Sequence, residues 1–132
     1  MSKLTQDQAR TLAEDFFEIS KAVGDYRFAH FDDLTLDQLN ALHSLQQQLS
    51  NQSNHFTAVA IEITLDDLQP TLDRINQITE QVNKAITTLN DIRRVVTIAT
   101  SIVSLGAAIA AGSPATIAAA IQDTVQAVQG QA

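Results

Sequence analysis

At 132 residues the chain has the length of one domain, and folding a chain of that size buries roughly 68% of the surface exposed when it is unfolded. It has no cysteine and a net charge of −7, which excludes disulfides, thiolate metal sites and thiol catalysis and disfavours nucleic acid, whose phosphates require a basic stripe. Five Phe, one Tyr and no Trp leave few platforms for stacking bases.

The opening "MSKLTQDQAR" is polar and lacks the apolar stretch of a secretion signal. Absence of cysteine suits a reducing cytoplasm, so a cytoplasmic protein is expected, with a secreted or membrane-associated form left open. Thr5 and Gln8 form a T-x-x-Q capping box. The apolar run Ala9, Leu12, Phe16, Ile19 and Val23 then marks one face of a first helix, for which Gly24 is the expected stop. "DYRFAHFDD", residues 25–33, has no sustained period and is expected to connect, with Tyr26, Phe28 and Phe31 packed over the end of the bundle.

Thr35 and Gln38 make a second capping box, opening a helix with Leu36, Leu39, Leu42, Leu45 and Leu49 that "NQSN", residues 51–54, is expected to break. In "TAVAIEITL" the residues Val59, Ile61, Ile63 and Leu65 alternate like a strand, whereas Phe56, Ala60 and Ile63 suit a helix. A strand without a second strand is not stable, so the helix reading is preferred. Pro70 marks a junction, because proline deep in a helix removes a backbone hydrogen bond.

Beyond it Leu68, Leu72, Ile75, Val82, Ile86, Leu89 and Val96 fit one heptad frame, with Thr79 and Arg93 in the remaining seam positions. Asp66, Asp73 and Glu80 recur at the same interval on a neighbouring, solvated stripe. From Val95 the frame changes to Val95, Ile98, Ile102, Leu105 and Ile109. One long helix over about 68–111 that bends or changes partner at Arg93–Arg94 is therefore expected. Gly106 and Gly112 weaken its end, and Ser113–Pro114 restarts the chain as N-cap and first helical residue. The last helix places Ile117, Ile121, Val125 and Val128 on its apolar side.

Two stretches, 38–61 and 95–122, contain no charged residue and are expected either to pack together or, in the first case, to form a solvated Gln/Asn/Ser face. The second raises the question of a membrane. Residues 95–112 reach the minimum length for a spanning helix. Their seven Val, Ile and Leu residues are worth roughly −3 kcal/mol in total at the bilayer centre. Thr97, Thr100, Ser101, Ser104, Gly106 and Gly112 erode that gain, and in the next helix Asp123 would cost about 2.5 to 3.5 kcal/mol at mid-bilayer. A constitutive transmembrane hairpin is not expected. A long helix leading into a neutral hairpin resembles, in layout and composition and without a diagnostic motif, α-helical pore-forming toxins of the hemolysin E type, which would imply insertion of residues 95–128.

No catalytic, cofactor or metal motif is present: His30, His43 and His55 fit no zinc spacing, and there is no nucleophile elbow or phosphate-binding glycine loop. His30 near Asp32 and Asp33 could at most form a weak cation site, and the adjacent pairs Asp32–Asp33 and Asp66–Asp67 point apart on a helix. Arg93–Arg94 could anchor lipid head groups or a partner's carboxylates, or simply reach Asp91 or the acids of another helix. The expected fold is a single domain over 1–132, an all-α antiparallel bundle of four or five helices ending in an Ala-rich helical hairpin. The expected function is non-enzymatic: association with another copy or a protein partner. The alternative is membrane insertion of 95–128, and third comes a small-ligand carrier. Under the first two readings the contact residues are Arg93, Arg94, Ile98, Ile102, Leu105, Ile109, Ile117 and Ile121.

Overall fold

Thr5 starts the first helix by reciprocal capping: its hydroxyl accepts from the Gln8 amide at 3.1 Å, and the Gln8 side chain accepts from the Thr5 amide at 2.9 Å. The computed structural model describes residues 2–58, 64–65, 68–88, 91–112 and 114–130. Helix α1 spans Gln6–Ala29 and buries Ala9, Leu12, Phe16, Ile19 and Val23, as their spacing requires. It does not stop at Gly24. That residue is an approach point: a Cβ there would lie 2.6 Å from Nε2 of Gln46 on the next helix. Tyr26, three residues after Val23, carries the buried stripe onward, and the helix ends at His30. The expected connector therefore shrinks to a 3-10 turn at Phe31–Asp33.

Helix α2, Leu36–Ala58, begins with the second capping box, in which the Thr35 amide donates to Gln38 at 2.9 Å and the Gln38 amide donates to the Thr35 hydroxyl at 3.2 Å. Leu39, Leu42, Leu45 and Leu49 are buried, but Leu36 is exposed. The "NQSN" segment does not break the helix: Gln52 and Ser53 bond to neighbouring helices, while Asn51 and Asn54 face solvent. The Ser53 hydroxyl donates to the Ala13 carbonyl of α1 at 2.7 Å, and Gln52 donates to the Val103 carbonyl at 2.8 Å. One turn on, Phe56 meets Phe16 edge to face at 5.1 Å, worth about 0.5–1.5 kcal/mol beyond the area buried.

The helix reading of the next stretch holds to Ala58; residues 59–63 lie outside the described residues. The strand reading is met in one place. Thr64–Leu65 (β2) pairs antiparallel with Ser2–Lys3 (β1), Ser2 opposite Leu65 and Lys3 opposite Thr64. The partner that the strand lacked was the polar N-terminus.

The single long helix is two. Helix α3 runs Leu68–Thr88 and α4 runs Ile92–Ala111. Asp91 is the cap of α4, its extended backbone at φ −97°, ψ 107°, and its carboxylate accepts from the Arg93 amide at 3.0 Å. The two apolar frames thus belong to helices of opposite direction. Ile75, Val82, Ile86 and the seam Thr79 are buried on α3, with Leu72 partly so, while Asp73 and Glu80 are exposed; Asp66 and Leu89 lie outside the described residues. Pro70 falls in the first turn of α3, where its missing amide is not needed.

Gly112 ends α4 in the left-handed region at φ 76°, its amide reaching the Ala108 and Ile109 carbonyls at 3.1 Å each. Helix α5, Pro114–Gln129, starts with proline at the first helical position; the proposed cap Ser113 lies outside the described residues. Across the α4–α5 hairpin the buried Thr124 hydroxyl donates to Ala120 at 2.8 Å and lies 3.4 Å from the Ser101 carbonyl.

Among the described residues the fold is thus five helices whose chain neighbours run antiparallel. Helix α1 packs most extensively on α2 and also, in the same direction, on α3. The two charge-free stretches meet where α2 crosses α4.

Candidate functional site

The expected contact residues divide sharply. Ile98, Ile102, Leu105, Ile109, Ile117 and Ile121 are all buried between helices. Their spacing on α4 and α5 turns one apolar face to the bundle and leaves Thr97, Thr100, Ser104 and Ala107 outside. None of the six isoleucine and leucine side chains touches a partner or lipid unless the hairpin leaves the bundle. Arg94 is engaged structurally, its Nη2 donating to the Val128 carbonyl at 3.1 Å. A cation at that point complements the negative end of α5. Arg93 is exposed and lines a groove of about 330 Å³ with Asp37, Gln38, Ala41, Ile92 and Val96.

The histidines are spread apart. The His30 ring stacks on Tyr26 at 4.1 Å, and its Nδ1 sits 3.0 Å from the Tyr26 carbonyl, so its geometry is fixed by the end of α1 rather than by Asp32 and Asp33. His43 and His55 are exposed. Among the described residues, no three His, Asp or Glu side chains converge as metal ligands.

The structure brings forward two features that the sequence did not single out. The first is Asp15, half-buried between α1 and α3. With its amide nitrogen turned inward, Asn76 donates to both Asp15 oxygens at 3.1 Å. Burial pushes the Asp15 carboxyl up from 3.8 to about 7; a Thr79 hydrogen bond opposes this, and Glu80 and Glu14 add repulsion in the same direction as burial. The Thr79 hydroxyl donates to the Asn76 carbonyl at 2.8 Å. Asp15 opens on one side into a groove of about 400 Å³ with Glu18, Glu80 and Lys84 on its walls. On the other side lies a groove of about 150 Å³ beside Gln69, Asp73 and Asn76. This arrangement can hold a proton near neutral pH. A sequence signal existed: Asp15 follows the buried Leu12 by three positions and precedes the buried Ile19 by four, which places it at the rim of the core stripe.

The second is an apolar corner. Phe28 is 85% exposed, Leu36 72%, Phe31 55% and Phe17 53%. The expectation that Tyr26, Phe28 and Phe31 cover the bundle end holds for Tyr26 alone. Once α1 continues past Gly24, Tyr26 and Phe28 differ by about 200° around the axis, so burying one exposes the other. Phe17 and Phe28 share a stripe, three turns and about 20° apart. That stripe lies beside the α2-facing residues Ser20 and Gly24, which contact Gln46. Comparison with protein-family models, with curated proteins and with solved structures finds no match for this chain.

Proposed function

We propose that the protein is a non-enzymatic association module that binds another protein surface through the outer corner of α1 and α2. The observation that carries this reading is the exposure of Phe28, Phe31 and Leu36 around one turn, with Phe17 farther along the same helix. Clustered exposed apolar side chains rimmed by polar residues mark contact surfaces. Burying such side chains is worth about 1.5–3 kcal/mol each, whereas association costs about 4–15 kcal/mol in lost freedom. The corner alone is thus a weak, reversible site that draws specificity from its polar rim. A cytoplasmic setting, in keeping with the cysteine-free composition, completes the proposal.

Amide shift mapping of the isotopically labelled protein tests it, first on increasing concentration and then on titration with amphipathic helical peptides of either charge. Changes centred on residues 17–36 in at least one series are expected, and Phe28→Ser should remove them. Absence of changes at that corner in every series would overturn the proposal.

A second reading rests on α4, whose 20 residues are long and apolar enough to cross a membrane by length and composition. It requires the α4–α5 hairpin to detach, exposing Ile98, Ile102, Leu105 and Ile109 that now pack in the core. Dye release from vesicles by the wild-type protein, abolished by Ala108→Lys, would favour it over the first.

A further inference from the structure

We propose that the α1–α2 corner docks a basic amphipathic helix supplied by another protein. This inference rests on the association reading above and names its occupant. Charge favours a basic occupant. Residues 25–37 carry the exposed Asp25, Asp32, Asp33 and Asp37 around Phe28, Phe31 and Leu36. Against them stand Arg27 within the segment, Lys21 one stripe position before it and Arg93 across the groove from Asp37, so Asp25, Asp32 and Asp33 carry the excess negative charge. None of the four carboxylates makes a hydrogen bond or ion pair with another described residue, so each remains available to an incoming cation. A second copy of this chain fits poorly, because it would bring the same four aspartates, on a molecule of net charge −7, against themselves.

The backbone of the corner favours a helical occupant. The corner is formed by the end of α1, a 3-10 turn and the start of α2, where the Gln38 amide donates to the Thr35 hydroxyl and the Thr35 amide to the Gln38 side chain. No open sheet edge is offered there, so an extended peptide cannot add itself as a strand. The occupant must bind through side chains, and a helix presenting apolar residues along one face does so with its own backbone already satisfied. Its apolar face would cover Phe28, Phe31 and Leu36, and flanking Lys or Arg side chains would meet the aspartates. Phe17, about 16 Å farther along α1, lies on the same stripe but beyond Gly24 and the exposed Lys21, so the apolar contact is confined to the corner itself.

The experiment uses three synthetic peptides of equal length: an amphipathic Leu/Lys helix, an amphipathic Leu/Glu helix, and a Leu/Lys sequence scrambled to lose its apolar face. Binding is read by fluorescence anisotropy, and the contact is mapped by amide shifts. Only the amphipathic Leu/Lys peptide should perturb residues 25–37. Asp32→Asn/Asp33→Asn/Asp37→Asn should weaken it at least tenfold at low salt, Phe28→Ser/Leu36→Ser should abolish it, and Asp73→Asn/Glu80→Gln on α3 should change it less than twofold. Equal binding of the acidic or scrambled peptide, or an equal loss in the α3 variant, would overturn the proposed partner. If the corner instead responds to protein concentration alone, the association reading stands and the basic-helix occupant falls. If it responds to nothing, both fall.

Discussion

Asp15→Asn should stabilise the protein at alkaline pH, with roughly a third of that effect already present at pH 5 and little below pH 4. Asp15 titrates at about 7 in the folded chain against an ordinary 3.8. The native state therefore holds a proton that the unfolded state releases, and the advantage of folding is complete below 3.8 and is lost as pH rises through about 7. For a fully enclosed group that difference would amount to about 4 kcal/mol, at about 1.4 kcal/mol per pH unit. Asp15 faces solvent through grooves on either side, and the Asn76 amide supports the ionised form. Screening and that hydrogen bond reduce the expected effect to about 1–2 kcal/mol. Asparagine keeps the shape and offers its carbonyl to Asn76 without the charge. Urea unfolding of both proteins at pH 5, 6, 7 and 8.5 measures the gap, which should open as pH rises, and carbon-detected titration of the Asp15 carboxyl reads its midpoint directly. A variant less stable than wild type at pH 8.5, or a midpoint near 4, would refute the reasoning.

The remaining predictions concern the core and its ends. Ile102→Asp places an unpaired charge at a fully buried position and should cost more than about 4 kcal/mol, seen as loss of the cooperative thermal transition. Ile86→Ala should cost about 2–5 kcal/mol in a urea melt if α3 is packed as described. Arg94→Ala removes the hydrogen bond to the Val128 carbonyl; a loss of about 0.5–2 kcal/mol is expected, with faster amide exchange confined to the last turns of α5. Gly112→Ala forces a side chain into the left-handed region and should destabilise by about 1–2 kcal/mol, which thermal denaturation will register.

The helical class was legible because periodicity and caps agreed. Thr5–Gln8 and Thr35–Gln38 announced two helix starts, and the buried faces of α1, α2 and α4 follow their written spacing. The errors share a cause: residues read as punctuation were tertiary contacts. Gly24 suggested a stop because a bare Cα is cheap at helix ends, yet here it admits the Gln46 side chain. Ser53 and Gln52 suggested a break because their side chains compete for backbone, yet that competition is resolved against Ala13 and Val103 on other helices. The division of 68–111 had one local sign, Asp91, an acid preferred at helix starts and placed just before the change of frame. Uninterrupted apolar spacing masked it. The pairing of Thr64–Leu65 with Ser2–Lys3 could not be read: Leu65 ends an alternating run, but its partner is two polar residues that carry no alternation to recognise. The candidate site was less visible still. Asp15 and Thr79 lie far apart in sequence and looked like ordinary surface acid and seam polar residue, and the exposure of Phe28 depends on α1 not ending where glycine suggested.

The central claim is that the surface for contact is the α1–α2 corner and that the neutral hairpin stays within the core. Because the natural chain has no cysteine, single thiols report cleanly, and the decisive measurement is the maleimide labelling rate of Phe28→Cys and Ile102→Cys, each alone, with the amphipathic Leu/Lys peptide, and with anionic vesicles. The account predicts that Phe28→Cys labels rapidly and is slowed by the peptide, while Ile102→Cys stays protected throughout and is indifferent to vesicles. A Phe28→Cys rate that the peptide leaves unchanged, together with an Ile102→Cys rate that vesicles alter, would contradict it and move the functional surface to the α4–α5 hairpin.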